Sequence, residues 1–173
     1  MMLFGILFPL LIVGIAKVTA PNKGNGKTVE SDGKTIGFEL IGQSFTSEKY
    51  FSSRPSAVGY NPAATGGSNK GPSNPDYLKQ VEERVADFIS KNPGVRKEDI
   101  PVDLITASGG GLDPHISVKA ALIQVRRIAK VRNIPEEKVR QLVAQNTNKP
   151  MLGLLGTSTV HVLHLNIELD KLK

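Results

Sequence analysis

Sixteen residues pass before the first charge in this chain. Residues 1–16 read Met-Met-Leu-Phe-Gly-Ile-Leu-Phe-Pro-Leu-Leu-Ile-Val-Gly-Ile-Ala, and Lys17 ends the run. As a helix the stretch would rise about 24 Å, against a hydrocarbon core of about 30 Å. A secretory signal opens with a basic segment, which is missing here. A helix packed on a water-soluble core keeps a polar face, and the run has none. It is therefore expected to be a membrane anchor over residues 1–18, with Val18 extending it and Pro9 tolerated as prolines are in lipid. Lys17, Lys23 and Lys27 all lie beyond it, so the charge rule alone would hold the rest of the chain in the cytoplasm.

The remainder of the chain is long enough for one domain with a core of its own. Residues 19–27 are polar, carry Pro and Gly, and read as a linker. Residues 28–173 are expected to form a single α+β domain, about three helices packed on a small mixed or antiparallel sheet. The net charge of +6 would suit nucleic acid. The cations are dispersed and no aromatic-rich binding motif accompanies them, so no nucleic-acid partner is expected. Cysteine is absent, which excludes disulfides, a thiol nucleophile and thiolate metal sites.

Local signals place the elements. Asp32-Gly33 between Val29 and Ile36 marks a hairpin, its second strand reaching Leu40 or Ile41. Residues 50–74 are turn-rich and polar, too long for a plain connection. Asn74-Pro75 opens a helix with Leu78, Val81, Val85, Phe88 and Ile89 on one face, and Asn92-Pro-Gly94 stops it. Val102, Leu104 and Ile105 read as a short buried strand, ended by the glycine loop at 108–111. Ser117 reads as the cap of a second helix carrying Val118, Ala121, Leu122, Val125, Ile128 and Ala129, ended by Asn133. Pro135 opens a third, with Val139, Leu142 and Val143. Leu163, Leu165, Ile167 and Leu169 alternate with His164, Asn166, Glu168 and Asp170, the pattern of a half-buried strand with a bulge near Leu163. On such a strand His161 and His164 face opposite ways.

None of this resembles a catalytic constellation. The glycine loop lacks a Gly-Lys-Ser/Thr end and a Gly-x-Gly-x-x-Gly pattern, so it is neither type of nucleotide loop, although its backbone N–H groups can hold an anion. Arg126, Arg127, Lys130 and Arg132 make the second helix basic towards its end. That placement suits a helix C-terminus or an anionic partner. The histidines lack metal-ligand spacing, and no metal is expected. Asp103 and Asp113 are expected to cap or accept backbone bonds.

The polar and glycine loops together resemble one family, the C subunit of the Kdp potassium-transporting ATPase. The matching pieces are Phe-Pro-Leu-Leu at 8–11, Ile-Gly-Gln-Ser-Phe at 41–45, Tyr-Phe-Ser-Ser-Arg-Pro-Ser at 50–56 and Tyr-Asn-Pro at 60–62. They continue with Gly-Gly-Ser-Asn at 66–69, Ser-Asn-Pro at 73–75, Pro-Val-Asp-Leu-Ile-Thr-Ala-Ser at 101–108, Gly-Leu-Asp at 111–113 and Leu-Asn-Ile-Glu-Leu-Asp at 165–170. The resemblance implies one N-terminal membrane helix and an extracytoplasmic domain. It implies a complex with a potassium-conducting A subunit, a P-type ATPase B subunit and a small F subunit, in contact with membrane lipid. It implies a non-catalytic role in assembly or stability, with ATP hydrolysis left to the B subunit. A proposed chaperone role, raising that subunit's affinity for ATP, makes ATP the one cofactor to consider. Gln124 and Arg127 in the basic helix are the nucleotide candidates. Family members begin further upstream with basic residues, so the first part of the membrane helix is expected to be missing here. The loops themselves, through Gln43, Arg54, Asn61, Ser68, Asn69, Asn74, Ser108 and Asp113, are expected to interlock into a surface for partner subunits. Arg54 is the expected keystone, with five donors for carbonyls or for Asp113. A nucleotide-binding regulatory protein using the glycine loop and the basic helix is the alternative.

Overall fold

The computed structural model describes residues 1–31 and 33–172. They part into two units, Met1–Ile41 and Gly42–Lys173. The sequence pattern had set the boundary at residue 28 and joined the hairpin to the larger domain.

The first unit opens with a π-helical turn, Leu3–Leu7, running into helix α1, Phe8–Thr19. The wide turn has a cause. Pro9 has no N–H to donate, and its ring pushes against the carbonyl one turn back. Phe8 instead donates to the Leu3 carbonyl, five residues away. No residue of the turn or of α1 is buried. Among the described residues, no helix is long and apolar enough to cross a membrane. Strands β1, Thr28–Ser31, and β2, Lys34–Phe38, pair antiparallel with an irregularity at Val29/Glu30. The second strand ends at Phe38, short of the expected Leu40. Asp32, first residue of the expected turn, lies outside the described residues.

The second unit holds the core. Helix α2, Pro75–Lys91, begins as its sequence signals: the Asn74 side chain accepts from the Tyr77 N–H at 3.0 Å, with Pro75 in the first turn. Val85 and Phe88 are buried, and Leu78, at the start of the apolar face, stays exposed. Strand β3, His115–Ser117, leads into helix α3, Val118–Leu122, capped by Ser117 Oγ accepting from the Ala120 N–H. Helix α4, Val125–Arg132, ends at Asn133 with left-handed φ of 54°, a conformation asparagine tolerates. Helix α5, Glu136–Gln145, buries Val139, Leu142 and Val143. Strands β4, Thr147–Asn148, and β5, Thr159–His161, complete a three-stranded antiparallel sheet in the order β3-β5-β4. Helix α6, Val162–Lys171, closes the chain.

Three expectations need correction. The second helix is two helices. Gln124 Nε2 donates to the Ala120 carbonyl at 3.0 Å, the acceptor that its own backbone N–H would use in a regular helix. That N–H turns to the Ala121 carbonyl instead, tightening the chain into a break. Next, residues 102–104 form a 3-10 turn, not a strand. Pro101 sets the entry, and Asp103 accepts from both the N–H and the hydroxyl of Ser117, at 2.7 and 3.2 Å. The turn is thereby pinned to the end of β3 by a side chain, not by a backbone ladder.

Finally, residues 162–171 are helical, so no bulge near Leu163 exists. Val162, Leu165, Asn166 and Leu169 are buried at i, i+3, i+4 and i+7, a helical stripe. Apolar residues at every second position had imitated a strand. His161 caps this helix, its Nδ1 accepting from the His164 N–H at 3.4 Å. The two imidazoles therefore lie together, ring centres 4.3 Å apart, and His115 meets His161 edge-on at 5.1 Å.

Candidate functional site

The stretch 48–52 belongs to no strand or helix, yet Phe51 is wholly buried. A buried backbone must pair its polar groups, and here side chains do so one residue after another. Arg127 donates to the carbonyls of Glu48 and Tyr50. Arg132 Nε donates to the Lys49 carbonyl at 2.7 Å. Asn166 takes both sides of Phe51, its Oδ1 accepting from the N–H at 2.9 Å and its Nδ2 donating to the carbonyl at 3.0 Å. Gln124 Oε1 accepts from the Ser52 N–H at 2.8 Å. An amide side chain on α6 thus pairs with Phe51 as a neighbouring strand would.

These side chains also hold one another. Arg127 Nη2 donates to Gln124 Oε1 at 2.8 Å, and its Nε to Asn92 Oδ1 at 3.0 Å. Burial pushes the Arg127 guanidinium below its ordinary value, partly offset by the field of Glu48. Arg132 reaches Asp170 at 2.6 Å, and its guanidinium lies 5.0 Å from the centre of the Tyr50 ring. The Tyr50 hydroxyl donates to the same carboxylate at 2.9 Å, and that bond is the main cause raising the phenol above its usual value.

Gln124 and Arg127 are the nucleotide candidates of the sequence. The structure buries both and directs their polar atoms to the protein's own chain. Arg127 and Arg132 bind the 48–52 stretch, and Arg126 and Lys130, together with Arg127, line a cavity of about 750 Å³ between α4 and the end of α2, bordered in part by Leu122 and Ile123.

Beyond Ser52 the polar loop packs on the glycine loop, as expected. Gly66 N–H donates to the Gly110 carbonyl at 3.1 Å, and from the segment before the polar loop Gly42 N–H donates to the Leu112 carbonyl at 2.7 Å. Gly111 has φ of 69°, and a Cβ there would stand 2.9 Å from the Gly66 carbonyl oxygen, so glycine is required twice over. At Gly42 a Cβ would stand 2.7 Å from the Asp113 carbonyl oxygen.

Arg54 does bind Asp113, Nη1 to Oδ2 at 3.0 Å. That pair is one of the two roles expected of it, and among the described residues its Nε is buried with no hydrogen-bond partner. Binding more than one carbonyl falls to Arg127. The Tyr60 hydroxyl donates to the Arg54 carbonyl at 2.5 Å, and burial raises that phenol's pKa. Ser53 Oγ donates to the Gln43 carbonyl at 2.7 Å. Asn61 and Asn74 serve their own turns, through the N–H groups of Ala63 and Tyr77. Ser108 Oγ accepts weakly from the Asp113 N–H at 3.4 Å. Ser68 and Asn69 are exposed. Asn166, Asn92 and Arg132 are the residues that sequence reasoning missed as members of the site. Asn166 was placed on the wet side of a strand, and only a helical stripe through Leu165 and Leu169 could have turned it inward.

Asp113 has its carboxyl lowered from 3.8 to about 2. The His115 side chain beside it, at 3.4 Å, is the largest cause, followed by the His115 N–H and by Arg54, against the cost of burial. A depressed carboxyl stabilises the fold above its ordinary pKa, and loses that contribution as pH falls from about 4 towards 2. Asp113→Asn should therefore unfold more easily than the parent at neutral pH, by about 1–3 kcal/mol. Thermal melts should show the gap narrowing between pH 4 and pH 2. A gap independent of pH would mean that the carboxylate charge contributes nothing.

Comparison with known proteins gives a consistent picture. The profile of the family described as "KdpC: K+-transporting ATPase, c chain" matches residues 1–171. A potassium-transporting ATPase KdpC subunit of Flavobacterium psychrophilum is 54% identical over 171 residues, covering 99% of this chain and 91% of its own. One from Flavobacterium johnsoniae is 51% identical, covering 100% and 92%. One from Caldanaerobacter subterraneus is 47% identical, covering 98% and 88%.

Proposed function

The chain belongs to the KdpC family of K+-transporting ATPase subunits, and from that premise we propose that it is a non-catalytic assembly subunit whose interlocked loops dock on its partners. Membership makes it an accessory subunit of a potassium uptake complex at the membrane. The finer reading is that the apolar N-terminal stretch anchors it as a single pass. The Gly42–Lys173 unit would then stand outside the cytoplasm, against the potassium-conducting subunit, the P-type ATPase and the small fourth subunit.

One observation carries the docking reading. Side chains of Gln124, Arg127, Arg132 and Asn166 hold the backbone of 48–52, and Arg54 pairs with Asp113 across the two loops, which supports a preorganised surface. A preorganised surface loses little entropy on binding. The tip at Ser68 and Asn69 is exposed, which makes it the contact to test. Ser68→Arg should reduce co-purification with the other subunits and leave the melting temperature within about 2 °C, because exposed substitutions seldom exceed about ±0.5 kcal/mol. Unchanged co-purification would remove the tip from the interface.

A second reading, direct ATP binding with a chaperone effect on the ATPase subunit, has one observation in its favour: the cavity faced by Arg126 and Lys130. Titrating ATP against the full chain tests it. Saturable binding lost in Arg126→Ala and Lys130→Ala would support it, and no saturable binding would exclude it.

A further inference from the structure

The connection between β4 and β5 presents four large apolar side chains to the outside. Met151, Leu152, Leu154 and Leu155 are 66, 85, 86 and 58% exposed. Water-facing loops are built from polar residues, and contiguous exposed apolar groups mark a contact surface. Here the loop reads Pro-Met-Leu-Gly-Leu-Leu-Gly at 150–156, with no polar side chain in it.

Its backbone is as telling as its side chains. Met151 N–H donates to the Leu155 carbonyl at 3.0 Å, Gly153 N–H to the Pro150 carbonyl at 3.0 Å, and Leu154 and Leu155 N–H to the Met151 carbonyl at 3.2 and 3.0 Å. Four of the six backbone N–H groups of residues 151–156 are satisfied inside the loop, which lowers the cost of leaving water at a headgroup boundary. Leu152 sits at φ of 56° and Gly153 at 75°. The first position favours glycine or asparagine. A leucine there is held in a disfavoured conformation, at the turn that carries the exposed side chains.

We infer that residues 150–156 form an apolar finger that inserts into the headgroup–acyl boundary of an anionic phospholipid surface, a second membrane contact separate from the N-terminal stretch. A short loop with every large side chain exposed suits a deformable lipid surface better than a flat protein face. The charge agrees. Lys149 stands exposed at the base of the finger, where a snorkelling ammonium meets phosphate. No acidic residue occurs between Lys149 and Glu168, and the chain as a whole carries +6. The inference rests on the membrane association of the complex, and it concerns the Gly42–Lys173 unit alone.

The absence of cysteine permits a local test on the full chain. Single variants Leu152→Cys and Leu154→Cys, each carrying a polarity-sensitive fluorophore, would be reconstituted without other subunits into phosphatidylglycerol–phosphatidylethanolamine vesicles. Lys79→Cys, on an exposed part of α2, serves as the wet reference, and Leu10→Cys reports separately on the N-terminal anchor. The finger labels should shift to the blue, be quenched by nitroxide on lipid acyl chains, and resist aqueous iodide several-fold better than the Lys79 label. Iodide access equal to that at Lys79 would overturn the inference, whatever the Leu10 label shows. So would protection that appears only when the other subunits are added, or equally without vesicles, since those outcomes assign the finger to a protein partner or to a second copy. A wet Leu10 label beside a protected finger would sink the anchor reading and leave the finger standing.

Discussion

A buried residue whose backbone belongs to no sheet must find its hydrogen bonds among side chains. That constraint falls on Phe51, and side chains also hold the more exposed residues on either side of it, 48–50 and 52. Four side chains from three separate elements converge on five residues: Gln124 from the break before α4, Arg127 and Arg132 from α4, and Asn166 from α6. Each buried donor or acceptor left unmatched costs about 1–3 kcal/mol, a large share of a domain's net stability of about 5–15 kcal/mol. Burial of Phe51 draws the chain inward, and the amide and guanidinium groups make that burial tolerable.

The break at Gln124 arises from the same demand. A continuous helix would use the Ala120 carbonyl for its own ladder, whereas the Gln124 side chain occupies it and aims its Oε1 at Ser52 and Arg127. The loop beyond residues 48–54 runs close over residues 108–113, and Gly111 stands where a side chain would strike the Gly66 carbonyl. An irregular surface is thus held by polar contacts underneath it.

The parts legible in the sequence were those governed by local rules. Caps at Asn74 and Ser117, the stop at Asn133, the apolar face of α5 and that of α2 apart from Leu78 all depend on neighbours within a turn or two, and they stand as read. The packing of the two loops, and the Arg54–Asp113 pair, were legible from their composition and length. What failed depended on distant partners. Residues 163–169 satisfy a strand pattern and a helix pattern at once, because leucine falls on both, and only the burial of Asn166 against Phe51 separates them. Val102 and Leu104 looked like a strand because Asp103 gave no sign that it would bind Ser117, fourteen residues on. Arg127 and Gln124 looked like ligands for an anion because the carbonyl and N–H groups they serve lie more than seventy residues away.

The central claim is that side chains hold the 48–52 backbone as firmly as a sheet would. Native-state hydrogen exchange of the Phe51 and Ser52 amides, in the full chain, addresses it most directly. The account predicts that both exchange only with global opening, at the same free energy as the amides of β5, because their acceptors are the buried side chains of Asn166 and Gln124. Exchange on the fast timescale of an open loop, with β5 still protected, would contradict it.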